Sequence, residues 1–379
     1  MSEDINFNDI RPYNDNEMPA AIKRVSESIY FNNVVKYIFQ GADLRAFTDN
    51  FRKIKTIDEF QLQVMDKAIR AIFSQTSDGF SYSGFEQLST EKNCMFLSNH
   101  RDILLDSAIL QVILFECGLQ TSEITFGSNL MHSQFVIDIG KMNKMFKIVR
   151  GGTMREIFAN SLKVSQYMRY VITQKRQSTW IAQRNGRAKN GFDSTEVAVL
   201  KMFSMSSPES FVPNLMELNI TPLAISYEYE PCDFLKTRER YISKRKQYFK
   251  EPGEDMNSII QGVRQWKGHT HLAVCKPVTE EELKQCDAFP HNEKFKYLSQ
   301  IIDKKIYQNY KLYKTNYIAY DLLHNSLTYN SSYSQKEKEE FQQYMSNGLK
   351  NIKGDANELK TMFLQIYANP VGNCISVMN

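Results

Sequence analysis

Apolar positions change their period along this chain. Over residues 18–75 they recur every three or four positions, in AAIKRVSESIYFNNVVKYIF and again in IDEFQLQVMDKAIRAIF, which predicts amphipathic helices. SQTSDGFSYSG then reads as a polar, glycine-bearing linker. From residue 94 short apolar runs at CMFLS, EITFG, FKIV, TWIAQ, TPLAISYEY and THLAVC predict strands. The stretches LLDSAILQVILFE, MREIFANSLKVSQYMRYVITQ and EVAVLKMF between them predict helices. Strands alternating with helices predict an α/β domain over 80–280, with a mixed, largely parallel sheet flanked by helices. A helical N-terminal region covers 1–79 and a helical C-terminal region covers 281–379. In the latter, SQKEKEEFQQYM reads as a solvated face. No internal repeat is visible.

Composition narrows the class. With 42% hydrophobic and 24% charged residues in 379, the chain is an ordinary soluble globular protein, either one large domain with appendages or two domains. A net charge of +4 is too dilute for a nucleic-acid module and fits an anionic small substrate or an anionic membrane surface. The longest apolar stretch, Ala108–Leu119, is broken by Gln111 and Glu116 and is too short to span a bilayer, so membrane association is expected to be peripheral. The polar N-terminus has no signal-peptide character. Six scattered cysteines show no metal or redox spacing, and Cys94 and Cys275 lie in apolar runs as buried thiols, which suits a reducing compartment.

Two segments carry chemistry. In FLSNHRDILLDSAIL a strand ends at Ser98, the polar knot Asn99, His100, Arg101, Asp102 follows, and a helix begins near Leu104. Ligands of open α/β sheets bind beyond the carboxyl ends of strands. A His beside Asp102 and Asp106 at such a corner suits a general base with an orienting carboxylate, and equally a helix-capping cluster. In STWIAQRNGRAKNG a strand runs into a loop holding Arg184, Asn185, Gly186, Arg187 and Lys189, a phosphate cradle or a solvated turn. Arg150 is a third basic point after a strand. His269 and His271 alternate on a predicted strand without an evident third metal ligand, so no metal site is assigned. No phosphate loop, dinucleotide fingerprint or Gly-x-Ser-x-Gly elbow is present. The run FLKTRERYISKRKQYFK, 234–250, reads as a basic amphipathic helix suited to anionic lipid, to an acidic carrier protein, or simply to solvent.

The order of these features resembles the glycerol-3-phosphate and 1-acylglycerol-3-phosphate acyltransferase family: a strand–Asn–His–Arg corner, an Arg after a strand, a strand–Arg–x–Gly–Arg loop, an apolar run with Pro222, and a strand ending Cys275–Lys276–Pro277. It is most similar to a Bacteroidetes-type glycerol acyltransferase branch, in which runs like SNHRDILLDSA, WIAQRNGRAKNG and ISYEYEPCD recur. The resemblance implies a glycerol-phosphate acyltransferase-like fold and an O-acyltransferase of phospholipid biosynthesis. No cofactor is implied beyond acyl-CoA or acyl-carrier protein as co-substrate, and the acceptor would be a lysophospholipid. The location would be cytoplasmic, on the inner face of the cell membrane. His100 would deprotonate the acceptor hydroxyl. Arg150, Arg187 and Arg184 would bind its phosphate, with Arg101 and Asn185 nearby. Gly186 would admit the substrate to the backbone, and Pro222 would shape the acyl-donor side.

Two departures stand out. In the family, four residues separate the His from an Asp, whereas Leu occupies 105 here. Asp106 is one residue late and Asp102 is three early; a one-residue bulge favours Asp106. Asn185 stands where the family has Glu, which leaves open an aminolipid-precursor acceptor, and the displaced Asp leaves open a non-catalytic lipid-binding homologue.

Overall fold

The structure is a computed structural model and describes residues 6–149 and 151–377. Among these, seven strands form one sheet: β1 (Gly79–Ser83), β2 (Met95–Ser98), β3 (Glu123–Gly127), β4 (Met145–Ile148), β5 (Thr179–Ala182), β6 (Ile220–Tyr227) and β7 (His269–Val274). Their order is β1-β7-β6-β2-β5-β3-β4. β2 to β6 run parallel to one another. β7 is antiparallel to β6, and β1 pairs parallel with β7, so these two strands oppose the other five. The fold is α/β with a mixed, largely parallel sheet and helical extensions at both ends.

All six apolar runs became strands because each is buried on both faces, which suits parallel pairing between helical layers. Alternation sorts their side chains. Met95, Leu97, Ile181 and Ala224 face one layer, built on the helices Met154–Thr173, Val197–Ser204 and His291–Asn309. Phe96, Trp180, Leu223 and Ile225 face the other, built on the helices Lys67–Thr76 and Leu105–Glu116. The helix Leu105–Glu116 (the core helix) is buried at every position from Leu105 to Leu114, as an almost continuous apolar run requires. The expected linker over 74–84 is not one. The helix before it continues to Thr76, and Gly79–Ser83 pairs as an edge strand whose exposed serines and tyrosine hid it from a search for apolar runs.

The N-terminal helices close on a cluster around Met18, Val25, Phe31, Phe51 and Phe60. The C-terminal helices close around Phe341, Phe363 and Tyr367. Five cysteines, Cys94 and Cys275 among them, are buried; Cys117 is exposed, and all six are unpaired.

A buried carboxyl ties the C-terminal helices to the sheet layer. Asp233 accepts from Tyr367 Oη at 2.6 Å, Tyr344 Oη at 2.8 Å and Gln265 Nε2 at 3.0 Å. Burial nevertheless outweighs these donors and pushes its pKa up to about 6. An unfolded aspartate releases its proton near 3.8, whereas the folded chain holds this one to about 6. Raising pH through that window therefore weakens the folded state. Relative to Asp233→Asn, which cannot ionise, the wild type is expected to lose up to about 3 kcal/mol between pH 4 and 6 and nothing further above it. Urea titrations of both proteins across that range are the check. A constant difference would mean that Asp233 titrates normally.

Candidate functional site

The parallel strands β2, β5 and β6 end on one edge of the sheet, and the two chemistry-bearing segments leave from β2 and β5. At the end of β2, Asn99 locks the corner to β6: its Oδ1 accepts from Ile225 N at 2.7 Å and its Nδ2 donates to Ile225 O at 3.0 Å. His100 follows, and its Nδ1 lies 2.8 Å from Asp106 Oδ2. The same oxygen accepts from the backbone N–H of Arg101 at 2.6 Å and of Asp102 at 2.9 Å. Tyr227 Oη, at the end of β6, donates to Asp106 Oδ1 at 2.8 Å. Beside Asp106 and Asp102, and out of water, the Tyr227 phenol is held well above its ordinary pKa and stays a donor, with burial the largest cause. With Asp106 accepting at Nδ1–H, the lone pair of His100 sits on Nε2. The imidazole is 12% exposed and lies edge-on to Trp180, with ring centroids 5.9 Å apart.

The sequence left two carboxylates open, and Asp106 is the one on the ring. Asp102 caps the core helix, where its Oδ1 accepts from Leu104 N at 2.9 Å and Leu105 N at 2.8 Å. Burial pushes the Asp102 carboxyl above its ordinary value, the Asp106 charge pushes the same way, and Arg187 pulls back. Its other oxygen, Oδ2, is buried without a hydrogen bond. A Cβ built on Gly262 would lie 2.1 Å from that oxygen, so only glycine lets the helix Glu254–Arg264 cross here.

The loop after β5 passes over the corner, and Ala188 N donates to His100 O at 2.8 Å. Arg187 is nine-tenths buried, and its Nη1 has no hydrogen-bond partner. Arg184 is half-buried, and its Nε is likewise unpartnered. Gly186 takes φ +78° with open space where a Cβ would stand, a left-handed turn that suits glycine. Asn185 is exposed, and its N–H donates to Glu196 Oε2 at 3.0 Å, so a carboxylate from the far end of the same loop sits beside its tip. Pro222 is buried on β6 opposite Leu97, and its carbonyl accepts from Cys275 N at 2.9 Å. Arg150 lies outside the described residues.

Arg101, expected among the substrate-binding residues, is instead built into the interior with no exposed surface. Its guanidinium meets Asp193 at 2.5 Å and Glu230 at 3.4 Å and lies over the Tyr310 ring. Lys236, also buried, bonds Glu230 at 2.6 Å and the Arg101 carbonyl at 2.7 Å. Tyr227 and Glu230 lie in ISYEYEPCD, quoted above without a role. Its alternating Tyr and Glu on an otherwise apolar strand were the available signal. Asp193 and Lys236 gave none.

The basic run 234–250 is no free cationic face. Its helix, Asp233–Ser243, is shorter than expected, and five of its seven cations have partners: Lys236 as above, Arg240 on Met362 O, Lys244 and Arg245 on Glu358, and Lys250 on Asp255. The two strand histidines part company. His271 lies between the hydroxyls of Ser81 and Ser83, while His269 groups with Glu228 and Asp78, a trio with metal-ligand atoms within 4.8 Å of one another.

Removing Asp106 strands three hydrogen-bond donors and the ring, each worth roughly 1–3 kcal/mol when buried and unmet. Asp106→Ala is expected to lose at least about 3 kcal/mol of stability, while His100→Ala, at the rim, loses about 1 kcal/mol or less. Gly262→Ala is expected to lose about 1–3 kcal/mol by overpacking against Asp102. Denaturant unfolding of the three variants tests the ranking. A His100→Ala loss equal to that of Asp106→Ala would make the ring a structural element of the corner.

No protein-family model matches the chain, and no curated protein matches it. Among solved structures it is similar to the 1-acyl-sn-glycerophosphate (LPA) acyltransferase of Thermotoga maritima, with a TM-score of 0.37 and 14% identity over 76% of this chain and 91% of that one.

Proposed function

We propose that the chain is an O-acyltransferase that moves a fatty acyl group from acyl-CoA or acyl-carrier protein to the hydroxyl of a lysophospholipid-type acceptor. The observation that carries the reading is the His100–Asp106 pair at 2.8 Å, at the carboxyl end of a central parallel strand. A histidine whose Nδ1 is held by a fixed carboxylate presents Nε2 as a proton acceptor. A carboxylate fixed on the ring, with the ring's other nitrogen left at the rim, favours proton transfer over passive lipid binding.

In this reading the acceptor hydroxyl gives its proton to His100 Nε2 as its oxygen attacks the thioester carbonyl. The carbon–sulfur bond breaks, and the departing thiolate takes the proton back from the imidazolium. Arg187 is the first candidate for the acceptor's phosphate, because its buried Nη1 lacks a partner and a guanidinium grips phosphate oxygens in a fixed fork. Arg184 stands next in line, and Arg150 belongs to the same proposal through the resemblance.

A membrane surface as partner finds support in the exposed start of the helix Met154–Thr173. Residues 151–159 are all exposed, Met154 at 82% and Phe158 at 63%. These apolar side chains follow the carboxyl end of β4, on the edge where His100 stands. Among the described residues no helix is long and apolar enough to cross a membrane.

The test is mass spectrometry of products after purified protein is incubated with acyl-CoA or acyl-carrier protein and a panel of lysophospholipids. Acceptor-dependent product is expected. His100→Ala should lower its rate by about 10²–10⁴-fold. Arg187→Ala should raise the acceptor's Michaelis constant about tenfold and leave the donor's nearly unchanged, as loss of one charge-assisted contact predicts. Release of free fatty acid with no dependence on acceptor would replace transfer by hydrolysis. Unchanged turnover in His100→Ala would remove the base.

A further inference from the structure

We propose that an apolar cavity at the opposite edge of the sheet from His100 binds an uncharged amphiphile with a single aliphatic chain. The cavity has a volume of about 460 Å³ and lies between the segment 56–69 and the outer face of the core helix. Thr121 precedes β3, and Asn143 and Lys144 precede β4, so this polar end sits at the amino ends of the parallel strands. His100 stands beyond their carboxyl ends, which makes the two sites separate.

Its walls suit a hydrocarbon chain. Leu62, Met65 and Ile69 form one side, and Ala108, Val112 and Phe115 form the other. The latter repeat at four and three positions, one stripe of the helix on the order of 10 Å long. Ligand sites are typically cavities of roughly 300–1,000 Å³ with apolar walls and a few fixed polar groups.

The polar end is such a group. Lys144 Nζ donates to Thr121 Oγ1 at 2.9 Å, Thr121 to Gln61 Oε1 at 2.7 Å, and Gln61 Nε2 to Asn143 Oδ1 at 3.2 Å. Asn143 lines this end, and its side-chain amide donates to nothing among the described residues, which leaves a donor for a ligand oxygen.

Two irregularities shape this wall. Gln61–Asp66 is a π-helical turn set between the α-helical Ile57–Phe60 and Lys67–Thr76, and such turns recur at functional sites. Lys144 holds φ +56°, an unfavourable conformation for a residue with a side chain, and one that clusters at ligand clamps.

Charge sets the headgroup. Asp58, Glu59 and Asp66 line the cavity with one cation, Lys144, which already pairs with Asp58 at 3.1 Å; Asp66 pairs with Arg70 at 3.1 Å, and Glu59 has no ion pair among the described residues. A carboxylate or phosphate headgroup would find no free cation here and would face the Glu59 charge, whereas a hydroxyl accepts from Asn143 without that cost.

Isothermal titration of the full chain with monodecanoylglycerol and with sodium decanoate, both below their micellar concentrations, tests this. One saturable site for the glyceride is expected, with decanoate weaker by about tenfold or more. Leu62→Glu, at a half-exposed wall position, should weaken glyceride binding by about tenfold or more without lowering the melting temperature. Ala108→Phe, which fills the cavity, should abolish it. Arg187→Ala, altered at the candidate transfer site, should bind as the wild type does. The proposal falls if no saturable binding is seen, if decanoate binds as tightly as the glyceride, or if folded Leu62→Glu keeps full affinity. It also falls if Arg187→Ala loses the binding, which would assign that binding to the candidate transfer site. Absence of acyl transfer would leave this site intact, so the two readings fail separately.

Discussion

The carboxylate of Asp106 is the constraint around which the corner is built. A carboxylate offers about four lone-pair sites, and here four donors use them: the His100 ring, two successive backbone N–H groups and the Tyr227 hydroxyl. Burying a charge this thoroughly is unfavourable unless it is fully hydrogen-bonded. The backbone from His100 to Asp102 therefore has to curl around the carboxylate, and the ring is fixed as a consequence. Asp102 could not take the same place. Its Oδ1 is committed to the first N–H groups of the core helix, and the helix Glu254–Arg264 presses on its other oxygen. Two acids four positions apart thus divide the work between orienting a ring and starting a helix.

A second buried set extends the corner outward. Arg101 reaches Asp193 in the loop after β5 and Glu230 after β6, and Lys236 joins Glu230 to the Arg101 carbonyl. Breaking one member of such a set leaves an uncompensated charge in the interior, a loss of about 3–5 kcal/mol. The arrangement fixes the spacing between three strand ends, so the loop bearing Arg187 cannot drift from His100 without exposing or stranding one of these charges.

Legibility in the sequence followed burial. Six of the seven strands, the edge strand β4 among them, announced themselves as apolar runs, and the core helix as an apolar stretch too long for a strand. β1 did not, because an edge strand half in solvent keeps polar residues, and FSYS looks like a linker. Nor did the reversal of β7. Two helices separate it from β6, as in a parallel crossover, and only long-range pairing settles its direction. Among the site residues, His100 and Asp106 stood out because a polar knot interrupts an apolar pattern. The arginines did not sort themselves. Arg101 and Arg187 are equally basic on paper, but Arg101 is paired with two interior carboxylates, whereas Arg187 forms no ion pair among the described residues. Which of two cations faces inward depends on acids 92 and 129 positions away from Arg101, and local pattern does not encode that.

The same reasoning makes the C-terminal helices part of the site's support. A Cβ on Gly191 would lie 2.1 Å from the carbonyl of Ile366, so the loop after β5 packs backbone to backbone on the helix Ala356–Ile375. Asn369 Nδ2 donates to Asn190 O at 2.7 Å, and Asn373 Nδ2 to Gly191 O at 3.4 Å. These bonds satisfy carbonyls of a loop that has no strand or helix to satisfy them, which is the usual requirement for irregular backbone under cover. Asp233 ties that helix to the sheet layer through Tyr367. The position of the loop that bears Arg187, bonded to the His100 carbonyl through Ala188 N, is thus set from both sides, by Arg101 and Asp193 from within and by the C-terminal helix from without. Electrostatic preorganisation of this kind depends on such support, because a donor held in place before a ligand arrives need not be reorganised when charge develops.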